Sequence, residues 1–277
     1  DYAVTGVQTC ALPIFQMLIK LIKHDIKSSY RDLFPLYLGL LLFAVIAAVS
    51  VNPDREWLSV VTILPFFALF IATTVILTLT VIKLFTNRLY SKEGYLTFTL
   101  PVTTLETFLS KIITATLWTL LTFVVYILAT TLFAGLWVTL NWTNVQYALN
   151  EYRSFWEVIP WNTLIPEALR FMGISLPQAI LSFVYSSALM LITVVFVNTS
   201  YVTSKKLAIG IVVYLILNFI FNNLYTNIFT DWFIYKDNYG FEINWLMYFV
   251  DFLYFGLISV GLISLAVWLN DHKLELE

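Results

Sequence analysis

The sequence predicts an all-α membrane protein: six transmembrane helices preceded by a cytoplasmic amphipathic elbow helix, with an interfacial external helix between spans three and four. Composition is the first reason. Of 277 residues, 60% are hydrophobic, 17% aromatic and only 12% charged, against about 25% charged in an average soluble domain, and mean hydropathy is +0.84. So little charge cannot cover a water-facing surface. The second reason is the length of the apolar runs. A spanning helix needs about 20 apolar residues, because the hydrocarbon layer is about 30 Å thick and a helix rises about 1.5 Å per residue. Six stretches qualify: 33–51, 58–85, 112–140, 174–202, 207–228 and 246–269. The third reason is that these runs lack strict period-two alternation, which favours helices over barrel strands.

Several function classes fall at this stage. Fifteen basic and 17 acidic residues leave a net charge of −2, which gives no sign of nucleic-acid binding. Two histidines and one cysteine cannot build a histidine/cysteine metal cluster, a disulfide framework or a Cys–His catalytic pair with spare parts. We expect no catalytic residues and no metal site in this chain.

Residues Val4–Ile14, VTGVQTCALPI, read codon for codon like a translated sequencing-library adapter joined to an open reading frame. The run is too short for a signal peptide and lacks a basic leader. Residues 1–14 are therefore set aside, with Cys10 and Pro13 expected to be foreign and the native N-terminal residues missing.

Residues 15–32 read as the elbow helix. Phe15, Leu18, Ile19, Ile22, Ile26 and Tyr30 recur at three- and four-residue steps, and Lys20, Lys23, His24, Lys27 and Arg31 fall opposite. The pattern fits a helix in the inner interface with Lys20, Lys23, Lys27 and Arg31 toward anionic headgroups. It suits a plain anchor as well as an elbow leading into a transporter's first span. The six-span domain would occupy residues 33–277, its second and third spans longer than a bilayer requires and so tilted or projecting. Pro65 and Pro177 fall inside spans, where kinks are usual.

Lysine and arginine set the orientation. Lys20, Lys23, Lys27, Arg31, Lys83, Arg88, Lys92, Lys111, Lys205, Lys206 and Lys273 lie on one side, and Arg55, Arg153, Arg170 and Lys236 on the other. Eleven against four puts both termini in the cytoplasm. In the external segment Asn141–Gly173, Val145, Ala148, Leu149, Tyr152, Phe155, Trp156 and Ile159 form an apolar stripe that Pro160 stops. Sealing the outer leaflet and covering a substrate exit both suit it.

The connection between spans two and three, Thr86–Lys111, carries most of the functional signal. Thr103 and Glu106 form an S/T-x-x-E capping box just after Pro101, so a helix should begin near Thr104 and run into the third span. Before it, Tyr95, Leu96, Phe98 and Leu100 are costly to leave in water, so the stretch should dock onto the bilayer, the chain itself or a partner.

The string Glu93-Gly94-Tyr95-Leu96-Thr97-Phe98-Thr99-Leu100-Pro101-Val102, with Ser110-Lys111 opening an apolar span, resembles permease subunits of ABC-2 type transporters. The resemblance covers nearly the whole chain in topology and is most specific over Arg88–Lys111. It implies that this loop carries a coupling element for a separate ATP-binding subunit, with Arg88, Glu93, Gly94, Tyr95, Leu100 and Pro101 as the matching positions. It also implies an exporter in a bacterial inner membrane, with ATP and Mg held by the partner rather than by this chain. No G-x-x-x-x-G-K-[ST] loop occurs here. One six-span subunit makes half a pathway, so a second permease subunit, identical or different, is expected within the lipid bilayer. A non-transporting membrane scaffold or immunity-type protein is the alternative from another class.

Asp251 is the one carboxylate expected well inside a span, near the outer end of the sixth. Asn218, Asn222 and Asn223 on the fifth span fall at similar depth, so a contact or a shared wet cavity with Asp251 is expected. Its roles would be an interhelical hydrogen bond, a carboxylate that snorkels to the outer interface, or the lining of an outward exit. No second ionisable group accompanies Asp251, which disfavours a proton-coupled secondary transporter.

Overall fold

A computed structural model describes residues 11–51, 56–90, 103–153, 157, 161–199, 202, 205–234 and 245–273. Seven α-helices make up the described elements: α1 (Ala11–Ser50), α2 (Glu56–Tyr90), α3 (Thr104–Leu140), α4 (Trp142–Glu151), α5 (Trp161–Val197), α6 (Lys206–Ile234) and α7 (Trp245–Lys273). Six are long and apolar enough to cross a membrane, over Met17–Ser50, Trp57–Asn87, Thr104–Leu140, Ser175–Val197, Lys206–Asn227 and Tyr248–His272.

The spans satisfy many of their polar side chains within their own helices. In α2, Thr62, Thr73, Thr74, Thr78, Thr80 and Thr86 each donate a hydroxyl to the carbonyl four residues back, at 2.6–2.9 Å. A threonine that bonds its own helix exposes no unpaired hydroxyl to lipid, so the spans can be threonine-rich without penalty. Pro35 and Pro65 sit inside α1 and α2 without ending them.

Three elements differ from the sequence reading. No break sets residues 15–32 off from the first span: α1 runs unbroken for 40 residues, about 60 Å and twice the hydrocarbon thickness. Its exposed and buried faces are also rotated. Lys20, Lys23, Lys27 and Arg31 are exposed as their charge requires, but so are Ile19 and Tyr30, while Asp25 and Ser29 are buried. The fourth span starts where expected, at Ser175, but ends at Val197 rather than 202, and it belongs to a helix that already begins at Trp161. In the external segment α4 ends at Glu151 with Tyr152 as C-cap and buries no residue. The rest of the expected stripe, Phe155, Trp156 and Ile159, lies outside the described residues.

The chain divides into two compact units. One comprises residues 26–81 and 117–170. Its core gathers Leu33, Tyr37, Leu40, Ala44 and Ala47 of α1, Phe66 of α2, and Trp118, Val125 and Ala129 of α3. The alanines let backbones approach closely, which drives helix association where lipid is as apolar as the side chains. Polar pins fix the register. The Tyr37 and Thr122 hydroxyls lie 2.6 Å apart, and Tyr126 Oη donates to the Phe70 carbonyl at 3.0 Å while sitting 2.8 Å from Thr74 Oγ1. Phe66 stacks on Phe133 with centroids 5.5 Å apart.

The other unit comprises residues 1–25, 82–116 and 171–277. Here α5 is buried almost all round between Ala188 and Val197, and Tyr254 of α7 donates to the Phe221 carbonyl of α6 at 2.8 Å. The start of α3 is fixed as its sequence predicts. Thr103 N–H donates to Glu106 Oε2 at 2.9 Å and Glu106 N–H to Thr103 Oγ1 at 3.3 Å, a reciprocal capping box. Thr103→Ala should weaken this start by about 1 kcal/mol. Amide hydrogen exchange over residues 104–108 should then run about fivefold faster.

Candidate functional site

The stem of the 86–111 connection is pinned by a polar contact at each end. The described chain leaves α2 at Tyr90 and resumes at Thr103. Both ends of that gap are tied to neighbouring residues of α7. Tyr90 Oη donates to Asn270 Oδ1 at 3.1 Å, and Thr104 Oγ1 donates to Asp271 Oδ1 at 2.9 Å. Burial pushes the Tyr90 phenol's pKa up, which keeps the hydroxyl neutral and able to donate. Phe85 and Leu89 of α2 and Phe108 of α3 are fully buried around this stem.

Two turns into α3 lies a charge pair. Lys111 Nζ is 2.7 Å from both carboxylate oxygens of Asp25. Lys111 is 3% exposed and Asp25 1%, so neither charge reaches water. Thr107, Ser110 and Thr114 make the same face of α3 polar and buried, their spacing of three and four residues being one helical stripe. A buried pair recovers its desolvation cost only when geometry is close and further hydrogen bonds serve the remaining lone pairs and protons. The short two-oxygen contact meets the first condition. Mechanically, the pair fastens the first helix to the element that follows the connection.

A second polar centre lies in the same unit, between α5, α6 and α7. Asp251 is 5% exposed. Its carboxylate accepts hydrogen bonds from Gln178 Nε2 and Tyr225 Oη, both at 3.1 Å. Tyr225, Tyr254 and Phe255 pack around it with ring centroids 5.5 Å apart, and Tyr185 meets Phe255 at 5.3 Å. The donors are neutral, and no salt bridge engages Asp251 among the described residues.

The expected site residues are placed as follows. Arg88 stands on the last turn of α2, and Glu93, Gly94, Tyr95, Leu100 and Pro101 lie outside the described residues. Lys20, Lys23, Lys27 and Arg31 are exposed along α1. Asn218, Asn222 and Asn223 do not supply the bonds to Asp251: Asn222 Nδ2 donates to Asn218 Oδ1 at 2.9 Å, and Asn223 Nδ2 to the Phe219 carbonyl at 3.1 Å. No hydrogen bond among the described residues joins Asp251 to these asparagines. Sequence reasoning missed Asp25, Tyr90, Gln178, Tyr225, Asn270 and Asp271. Asp25 had one signal, a lone acid within a basic run, three and four residues after the half-buried Ile22 and Leu21. Among the described residues no group of three His, Cys, Asp or Glu side chains could hold a metal ion.

These features define a multi-pass α-helical membrane protein with two buried polar centres in one of its units. No protein-family model, curated protein or solved structure matches the chain.

Proposed function

We propose that this chain is the membrane-spanning subunit of an ATP-driven ABC-2 type exporter. In this reading it forms half of a translocation pathway and couples to a separate ATPase through the loop 86–111. The lysine-rich side is cytoplasmic, the first half of α1 serves as the elbow without a break from its span, and α4 is the interfacial external helix. The chain does no bond chemistry; ATP and Mg belong to the partner.

The double tie beneath the loop is what supports this most. A segment that passes force from a motor needs a stem that does not yield. Tyr90–Asn270 and Thr104–Asp271 clasp the two ends of residues 91–102 onto one turn of α7, while Lys111–Asp25 binds the following helix to α1. A push on residues 91–102 would then move α2, α3, α7 and α1 together. The Glu93–Val102 string supplies the docking chemistry: one acid, one glycine and a set of apolar and aromatic side chains that need a cover.

The test is purification in nanodiscs together with the product of the neighbouring gene. Recovery of a bound ATPase, lost with Glu93→Ala, Tyr95→Ala or Leu100→Ala while the six-span chain still inserts, is the expected result. A chain that never retains an ATPase is a membrane scaffold, and the exporter reading is then wrong.

A further inference from the structure

Helix α3 carries a buried indole whose hydrogen meets no acceptor. Trp118 Nε1 is enclosed and has no hydrogen-bond partner among the described residues. It lies in the span Thr104–Leu140, about 10 Å along the helix from Lys111, where no bulk water takes the proton. An indole N–H donates and never accepts. The Trp118 ring belongs to the core of the unit formed by residues 26–81 and 117–170, with Leu33, Leu40 and Phe66. Tyr37 of α1 is its aromatic neighbour there, with ring centroids 6.4 Å apart.

Counting protons shows what that neighbour has to offer. The Thr122 hydroxyl has one proton, and it goes to the Trp118 carbonyl at 2.8 Å. The 2.6 Å contact between Tyr37 Oη and Thr122 Oγ1 is then donated by Tyr37. Tyr37 Oη keeps its lone pairs unused among the described residues. The core of one unit thus holds a spare donor on α3 and a spare acceptor on α1, each on a side chain 5% exposed. Buried polar groups are seldom left so, and ordered water takes those that the chain does not pair.

We propose that Trp118 and Tyr37 bind a single internal water molecule between α3 and α1. The water accepts from Trp118 Nε1 and donates to Tyr37 Oη. Chemistry narrows the occupant to this. A cation cannot accept from the indole, and an anion finds no positive side chain in a cluster of Trp118, Tyr37, Thr122 and apolar neighbours. A neutral molecule that both accepts and donates is required, and the enclosure of both rings limits it to the smallest one. The result is a closed circuit. It runs from the Trp118 indole through the water, the Tyr37 hydroxyl and the Thr122 hydroxyl to the Trp118 carbonyl, and each bond polarises the next. Tyr37 is the one member from α1, so a single hydroxyl ties the first helix into it. The site lies within one unit and holds whether or not an ATPase binds.

Two spectroscopic readings of the full chain in nanodiscs test it. Ultraviolet resonance Raman reports whether an indole N–H is hydrogen-bonded, and subtracting the spectrum of Trp118→Phe isolates Trp118 among the nine tryptophans. Trp118→Tyr is the reference should the phenylalanine variant not fold. Nuclear magnetic resonance of the 15N-labelled indoles reports magnetisation passing from water to the Trp118 indole proton. The expected result is a hydrogen-bonded band together with a water signal at Trp118. Tyr37→Phe keeps the ring and removes the acceptor, so the band should shift to the free N–H position and the water signal should be lost. A free N–H in the parent chain would overturn the site. A bonded N–H without a water signal would make the acceptor a protein group and overturn it equally. A Tyr37→Phe chain that keeps both signals would remove Tyr37 from the site and break the circuit. The first two outcomes are read on the parent, so the test stands even if Tyr37→Phe does not insert.

Discussion

Asp25→Leu alone, or Lys111→Met alone, is expected to cost about 3–5 kcal/mol, because each strands a buried charge without its counterion. Both side chains are almost wholly excluded from solvent and both carboxylate oxygens meet the ammonium at 2.7 Å. Neither single variant can recover by turning to water. The double variant Asp25→Leu/Lys111→Met removes both charges at once and should recover most or all of the loss, since apolar side chains of similar volume replace such pairs at little cost or even with a gain. Thermal unfolding in detergent, followed by tryptophan fluorescence, measures this. Single variants that melt with the parent, or a double variant no better than the worse single, would show that the two charges are not coupled. If the proposed exporter reading holds, a double variant that folds and retains an ATPase but no longer exports would assign the pair to force transmission.

Asp251 should behave differently, because no opposite charge pairs with it among the described residues. Asp251→Asn keeps an acceptor for Gln178, and its amide can donate to the Tyr225 hydroxyl, which accepts as readily as it donates. It also removes a charge from a site 5% exposed inside a span. The asparagine variant should therefore be at least as stable as the parent. Asp251→Leu leaves both neighbours without their acceptor and should lose about 1–3 kcal/mol. The two melting temperatures, measured side by side, decide the matter. An asparagine variant as damaged as the leucine one would mean that the negative charge itself is required there. A stable asparagine variant without transport would move Asp251 from structure to function.

The six apolar runs and the start of α3 were legible because their signals are local. A run of about 20 apolar residues declares itself without reference to any neighbour. Thr103 and Glu106 satisfy each other within one turn, so the capping box could be read before the structure placed it. Azimuth and pairing were not legible. Depth along a helix can be counted from the sequence, and that count put the asparagines level with Asp251. Tyr225, three residues after Asn222 and about 60° round the helix, points to Asp251 instead. The Asp25–Lys111 pair was hidden by a related assumption, that charges between spans face water. Lys111 entered the orientation count as one more cytoplasmic cation, and Asp25 was passed over within a run of lysines. The partners stand 86 positions apart, and nothing local in either stretch names the other.

The unbroken course of α1 also fixes azimuth. With no loop to absorb a slip, one residue inserted between Leu40 and Ala44 would turn Ala44 and Ala47 by about 100° out of the core they share with Leu33, Tyr37 and Leu40.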